Sequence, residues 1–289
     1  MNTKTVVNNN IPKVPKLILI TGKILQFFST KLTTNFAVKL FKTPIKYKTP
    51  EIEKEMAKKA ISKLVFIPEL QLEVMVYTYG NATKKALLVH GWSGRGTQLV
   101  SIADQLLEND FMTVSFDAPA HGKSKGKTTM MTEFMAVSKF LEKEMGPFEV
   151  VIGHSLGGMS VLNSVKQGLN VKKAIVIGAG DIITDIITIF VEKLELKLKF
   201  VEKIKLHFYK TFNEYIDDYS GSIAAKDVKI PTLVIHDSED KEVPVSCAYP
   251  IRQNLEQGEL LITNGLGHKR ILNDNLVINE IITFIKQPK

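Results

Sequence analysis

Two apolar periods alternate along the chain. Residues 70–79 carry apolar side chains at every second position, Leu72, Val74 and Val76, the repeat of a strand with one buried face. Residues 64–67, 86–89, 113–116, 149–152, 174–177, 232–235 and 259–262 form short, almost unbroken apolar runs, as strands covered on both faces require. Between them lie segments of helical period: 51–63 with Ile52, Met56 and Ala60, 99–107, 130–144 with Phe134, Val137 and Leu141 inward, 159–165, 247–255 and 270–286. Pro68-Glu69 and Gly80-Asn81 turn the first two strands into an antiparallel pair. The alternation that follows predicts the α/β class, a mostly parallel, right-handed, doubly wound sheet of about eight strands.

Two segments break the rhythm. Residues 181–226 hold no strand pattern, but Ile183, Ile187, Phe190, Leu194, Leu198 and Val201 recur at helical spacing, followed by Phe208, Phe212, Tyr215 and Ile216. They predict a helical insertion within a domain spanning 61–289. Residues 1–60 form a separate, partly helical extension. Its first ten residues are polar and predicted to be disordered. In 15–41, Leu17, Ile24, Phe28 and Leu32 share one helical side, while Ile20 and Phe27 fall on the side of Lys16, Lys23 and Lys31. Lys23 interrupts the apolar run, which argues against a membrane span, and no small-x-small site follows to mark a cleaved signal. Two readings remain: a helix packed on the protein's own body, which is preferred, or a basic helix making peripheral contact with a membrane through residues 11–48.

The formal charge of +8 changes little once it is located. Nine of the 38 basic residues lie in 1–50, where there is no acid, so the remaining 29 face all 30 acids and residues 51–289 sum to −1. Only three arginines occur, Arg95, Arg252 and Arg270, although bidentate reading of phosphate or guanine favours arginine. Nucleic acid is therefore not expected as a partner. A single cysteine, Cys247, leaves no internal disulfide and fits a cytoplasmic location, at most peripheral at the inner membrane surface. Gly178-x-Gly180 lacks the third glycine of a dinucleotide loop, and neither metal nor cofactor is expected.

The chemistry centres on Gly153-His154-Ser155-Leu156-Gly157, between an apolar strand and a helix-compatible run. A serine on so sharp a turn needs small neighbours, and the turn sets the first helical amide, that of Leu156, beside the serine oxygen. Alone, this pattern is equally a glycine-rich turn with a capping serine. Four further motifs accompany it: His90-Gly91-Trp92-Ser93-Gly94, Asp117-Ala118-Pro119-Ala120-His121-Gly122-Lys123-Ser124, the acidic loop 236–244 ending in Val243-Pro244, and the loop 263–268 ending in His268. Together, over residues 64–289, they resemble the α/β-hydrolases, whose nucleophile elbow is G-x-S-x-G. The chain departs from that pattern at Ala120, where glycine is usual.

The resemblance implies an α/β-hydrolase fold with a lid at 181–226, and a triad of Ser155, Asp240 and His268 in the family's chain order. Asp240 is preferred to Asp237 and Glu239 because Val243-Pro244 stands three residues beyond it. The backbone amides of Trp92 and Leu156 are implied as oxyanion donors, with His90 and His121 structural. The implied activity is hydrolysis of a small carboxylic ester with an apolar acyl chain. A thioesterase or lysophospholipase is the nearest alternative, a perhydrolase or C–C bond hydrolase a further one, and a non-catalytic binding protein the least favoured.

Overall fold

A computed structural model of the chain describes residues 14–288. The polar segment 1–10, expected to be disordered, lies outside them.

Three helices open the described chain: α1 (Lys16–Phe28), α2 (Thr30–Phe41) and α3 (Glu51–Lys59). The strands β1 (Ile61–Ile67), β2 (Leu72–Tyr79) and β3 (Lys84–Val89) follow, then α4 (Val100–Glu108), β4 (Phe111–Phe116), α5 (Met131–Met145), β5 (Phe148–His154), α6 (Leu156–Lys166) and β6 (Val171–Ile177). After β6 come α7 (Ile183–Lys193), α8 (Lys199–Phe212) and a short α9 (Gly221–Ala225). The chain closes with β7 (Thr232–Asp237), α10 (Ala248–Asn254), β8 (Gly258–Thr263), α11 (Gly267–Arg270) and α12 (Asn275–Lys286).

The eight strands form one sheet in the order β1-β2-β4-β3-β5-β6-β7-β8. β2 runs antiparallel to both β1 and β4, and every other neighbouring pair is parallel. Successive residues of a strand point to opposite faces, so Leu87, Val151 and Val176 join one core layer with α5, α6 and α10, while Leu88, Ile152 and Ile177 join the other with α3, α4 and α12. Burial on both faces explains the unbroken apolar runs of the central strands, whereas the runs at 64–67 and 259–262 lie in the edge strands β1 and β8, which stay largely exposed or half-buried.

Three predicted helices have different limits. Residues 15–41 are two helices, because Ser29 is extended (φ −155°, ψ 118°) and its hydroxyl caps α2 by accepting from the Leu32 amide. Residues 51–63 are helical only to Lys59; Ile61–Lys63 pair with Val76–Thr78 in the sheet, where ladder bonds replace helical ones. The terminal helix starts at Asn275, because the side chain of Asp274 accepts from the amides of Leu276 and Val277.

The extension is tied to the rest of the protein. Ala37 and Val38 of α2 share a third apolar cluster with Ile187, Val191, Phe200, Ile204 and Phe208 of α7 and α8. Further along, Arg95 bridges to Glu53 of α3 at 3.0 Å and donates to the Tyr47 carbonyl, and the Ile45 amide donates to Ser93 Oγ at 2.9 Å. The N-terminal segment thus runs from the helical insertion to the loop after β3.

Candidate active site

β5 passes into α6 through one residue, Ser155, held at φ 54°, ψ −120°. That conformation is costly for a residue with a side chain and persists only where the surroundings enforce it. Here the Ser155 amide donates to the Ile177 carbonyl at 2.8 Å, and the Ser155 carbonyl accepts from Gly158 at 2.9 Å. The neighbours must be glycines because backbones touch: a Cβ on Gly153 would stand 2.4 Å from the Gly157 carbonyl oxygen, and one on Gly157 would stand 2.3 Å from that of Val89. Ser155 is half-buried at the head of α6, where the helix dipole favours negative charge.

The turn after β3 reaches the same place. A Cβ on Gly91 would lie 3.0 Å from Ser155 Cβ. The shape of this turn is set by buried imidazoles. His90 Nδ1 donates to the Gly91 carbonyl and its Nε2 accepts from the Ala118 amide, while His121 Nδ1 donates to the Pro119 carbonyl and its Nε2 accepts from the Ser93 amide at 3.0 Å. Burial lowers His90 to about 4 and His121 to about 3, so both are neutral near pH 7. The Trp92 ring meets His121 edge-on at 5.5 Å and is partly exposed. The amides of Trp92 and Leu156 have no acceptor among the described residues. Ala120 sits at φ 64°, the geometry that glycine would take more cheaply.

The acidic loop after β7 divides its labour. Asp240 Oδ2 lies 2.6 Å from His268 Nδ1, and its Oδ1 accepts from the amides of Glu242 and Val243. Burial favours the neutral acid, but hydrogen bonds from His236 and His268 outweigh it and hold the Asp240 carboxyl well below the usual range. Asp237 takes no part in that pair. It accepts from Glu239, Thr263 Oγ1, Leu266 and Gly267, and so shapes the loop that carries His268. Glu239, the other competitor, has its amide on Asp237. Asp240 and His268 both face the end of β6: a Cβ on Gly178 would stand 3.3 Å from the His268 ring and 3.6 Å from Asp240 Oδ2.

Two buried histidines escaped the sequence reading. His154 Nε2 donates to the His268 carbonyl at 2.9 Å, and the two rings stand 4.6 Å apart. His236 Nε2 donates to the Val243 carbonyl at 3.0 Å and stands 3.5 Å from Asp240 Oδ2. One occupies the variable position of the elbow motif and the other a strand end, so neither spacing nor composition marks it. Cys247 is half-buried at the head of α10, and burial pushes its thiol up, away from the reactive thiolate.

The alpha/beta hydrolase family matches residues 86–273, the stretch that contains all three loops. The chain belongs to this family. No curated protein sequence matches it. Among solved structures, an esterase from Pyrococcus furiosus is similar over 84% of this chain and 98% of its own, at TM-score 0.65 and 18% identity. An esterase from Exiguobacterium antarcticum matches 78% of this chain and all of its own (TM-score 0.61, 16% identity). The thioesterase domain of a curacin biosynthetic pathway matches 79% and 99% (0.57, 14% identity). At such identities the likeness is one of fold. Within the alpha/beta hydrolase frame, a cavity of about 360 Å³ that Ser155 does not line opens between the segment Pro44–Tyr47, α3 and the loops of Arg95 and His121. Lys46, Lys54, Lys58 and Lys123 line it.

Proposed function

We propose that the protein is a serine hydrolase that cleaves a carboxylic ester with an apolar acyl chain. The observation that carries this reading is what meets at the C-terminal ends of the central strands β3, β5 and β6. Ser155 stands at its strained turn, the turn after β3 packs against it, and the 2.6 Å His268–Asp240 pair sits beside Gly178.

In the reaction, His268 takes the hydroxyl proton of Ser155 as the serine oxygen attacks the ester carbonyl. Asp240 accepts from Nδ1, which leaves Nε2 as the basic nitrogen and favours the imidazolium once it forms. The amides of Trp92 and Leu156 receive the oxyanion, each contributing on the order of 3 kcal/mol. His268 then protonates the departing alcohol, and water, activated by the same imidazole, releases the acid and restores Ser155. The helical insertion, with α7 and α8, serves as the lid, and its apolar side chains favour an apolar acyl group.

The test is labelling with a serine-directed fluorophosphonate, followed by a series of p-nitrophenyl esters of increasing chain length. Labelling of the wild type and its loss in Ser155→Ala are expected; equal labelling of both would sink the proposal. Acyl-thioester substrates run beside the esters separate a thioesterase from an esterase.

A further inference from the structure

The turn at Ser29 gives α1 a face of its own. Five of its 13 residues are large apolar side chains held in water: Leu17 (76% exposed), Ile20 (53%), Ile24 (53%), Phe27 (83%) and Phe28 (76%). At the helical repeat these five fall within one arc of about 100°. Ile20 and Phe27, which a flat reading of the pattern sets with the lysines, complete this arc. Lys16 and Lys23 border it, and Lys31 and the exposed Leu32 follow just past the bend. The opposite side of α1 is already occupied, with Gly22 buried against Leu196 and Phe36. Among the described residues nothing covers the outward face.

We infer that α1 is a docking helix that seats the protein on an anionic lipid surface, its apolar arc in the acyl boundary, with Lys16 and Lys31 among the headgroups. The charge decides the occupant. Residues 1–50 contain nine lysines and no acid, so a second copy would bring two like-charged segments together, whereas an anionic bilayer supplies the missing counter-charge. Among the described residues no helix is long and apolar enough to cross a membrane, and α1 would lie along the surface.

The docked helix also carries the insertion with it. Gln26 Oε1 accepts from the Lys197 amide, Lys23 pairs with Glu195, and Leu198, next in the same turn between α7 and α8, is 57% exposed. Seating α1 thus sets that turn against the bilayer. The consequence that a membrane-borne ester would enter past the insertion rests on the ester-hydrolase reading; the docking does not.

The test is co-sedimentation of the full chain with vesicles of phosphatidylglycerol and phosphatidylcholine, or of phosphatidylcholine alone. Wild type is expected to partition onto the anionic vesicles. Partitioning is expected to weaken about tenfold or more in Ile24→Gln/Phe27→Gln/Phe28→Gln and in Lys16→Glu/Lys31→Glu, with an unchanged circular-dichroism melt. No binding by wild type, equal binding to neutral vesicles, or unaltered binding by the variants would overturn the inference. So would a wild-type dimer that the glutamine variant turns into a monomer, since it would assign the face to a second copy. A protein that binds vesicles yet ignores the fluorophosphonate would sink the esterase reading and leave the docking intact.

Discussion

The ring of His154 donates to the backbone carbonyl of His268 across 2.9 Å, so the residue before the elbow serine grips the histidine that is paired with Asp240. This bond joins the end of β5 to α11 without passing through any reacting atom. Removing it should let the His268 loop shift while Asp240 still holds the ring. His154→Ala is expected to lower kcat about ten- to a hundredfold with little change in KM, as displacements near an ångström do. His154→Gln, which can still donate, should recover part of the loss. A drop in thermal stability with kcat unchanged would reduce His154 to packing.

The two aspartates of the acidic loop predict opposite phenotypes. Asp240→Asn keeps the shape of the site but donates toward His268 Nδ1, fixing the wrong tautomer, and should cost about 10⁴ in kcat with the melting temperature nearly kept. Asp237→Asn should instead destabilise the chain by roughly 1–3 kcal/mol. It withdraws a carboxylate from four donors, among them the amides of Leu266 and Gly267. Urea denaturation and steady-state kinetics on both variants separate the roles, and a swap of phenotypes would move the acid to Asp237.

At the elbow, Gly157→Ala should be worse than a helix glycine-to-alanine change ordinarily is. Alanine normally gains helix propensity, yet here its Cβ would meet the Val89 and His90 carbonyl oxygens at 2.3 and 2.5 Å. The head of α6 must retreat, taking the Leu156 amide and Ser155 with it. The expected result is loss of fluorophosphonate labelling together with a lower melting temperature. Retained labelling would mean that the elbow tolerates the shift.

These relationships were unequally legible in the sequence. The strands and the motif loops could be read because burial on two faces and tight backbone contact restrict residue type locally: an apolar run at 174–177, glycines at 153 and 157, an aspartate three residues before Val243. Tasks settled by long-range hydrogen bonds could not. The spacing to Val243 singles out Asp240, but the work of Asp237 appears only when β8 and its loop bring Thr263, Leu266 and Gly267 to its carboxylate, and His154 gains its role from a carbonyl far along the chain. The bend at Ser29 was equally hidden, because a helix former with a good cap on its far side looks continuous until the partner of each half is known.

Acid should unfold the protein earlier than its carboxylates alone would require. Burial lowers His90 to about 4, and His121 and His154 to about 3. The geometry explains why charging is resisted: Nε2 of His90 and Nε2 of His121 already accept from backbone amides, so a proton there would face another N–H. In the unfolded chain each imidazole takes a proton near its ordinary value of about 6.5. These depressed histidines therefore leave stability intact above about pH 6.5 and remove it as pH falls toward 4, by up to about 1.4 kcal/mol per pH unit for each group. Asp240, also depressed, acts in the same direction lower down: its stabilisation holds above about pH 4 and goes as pH falls further. Urea midpoints from pH 7.5 to 5 should decline steeply, and His121→Asn should shallow the slope by about one proton's worth. A stability flat across that range would mean that these rings accept protons without opening the fold.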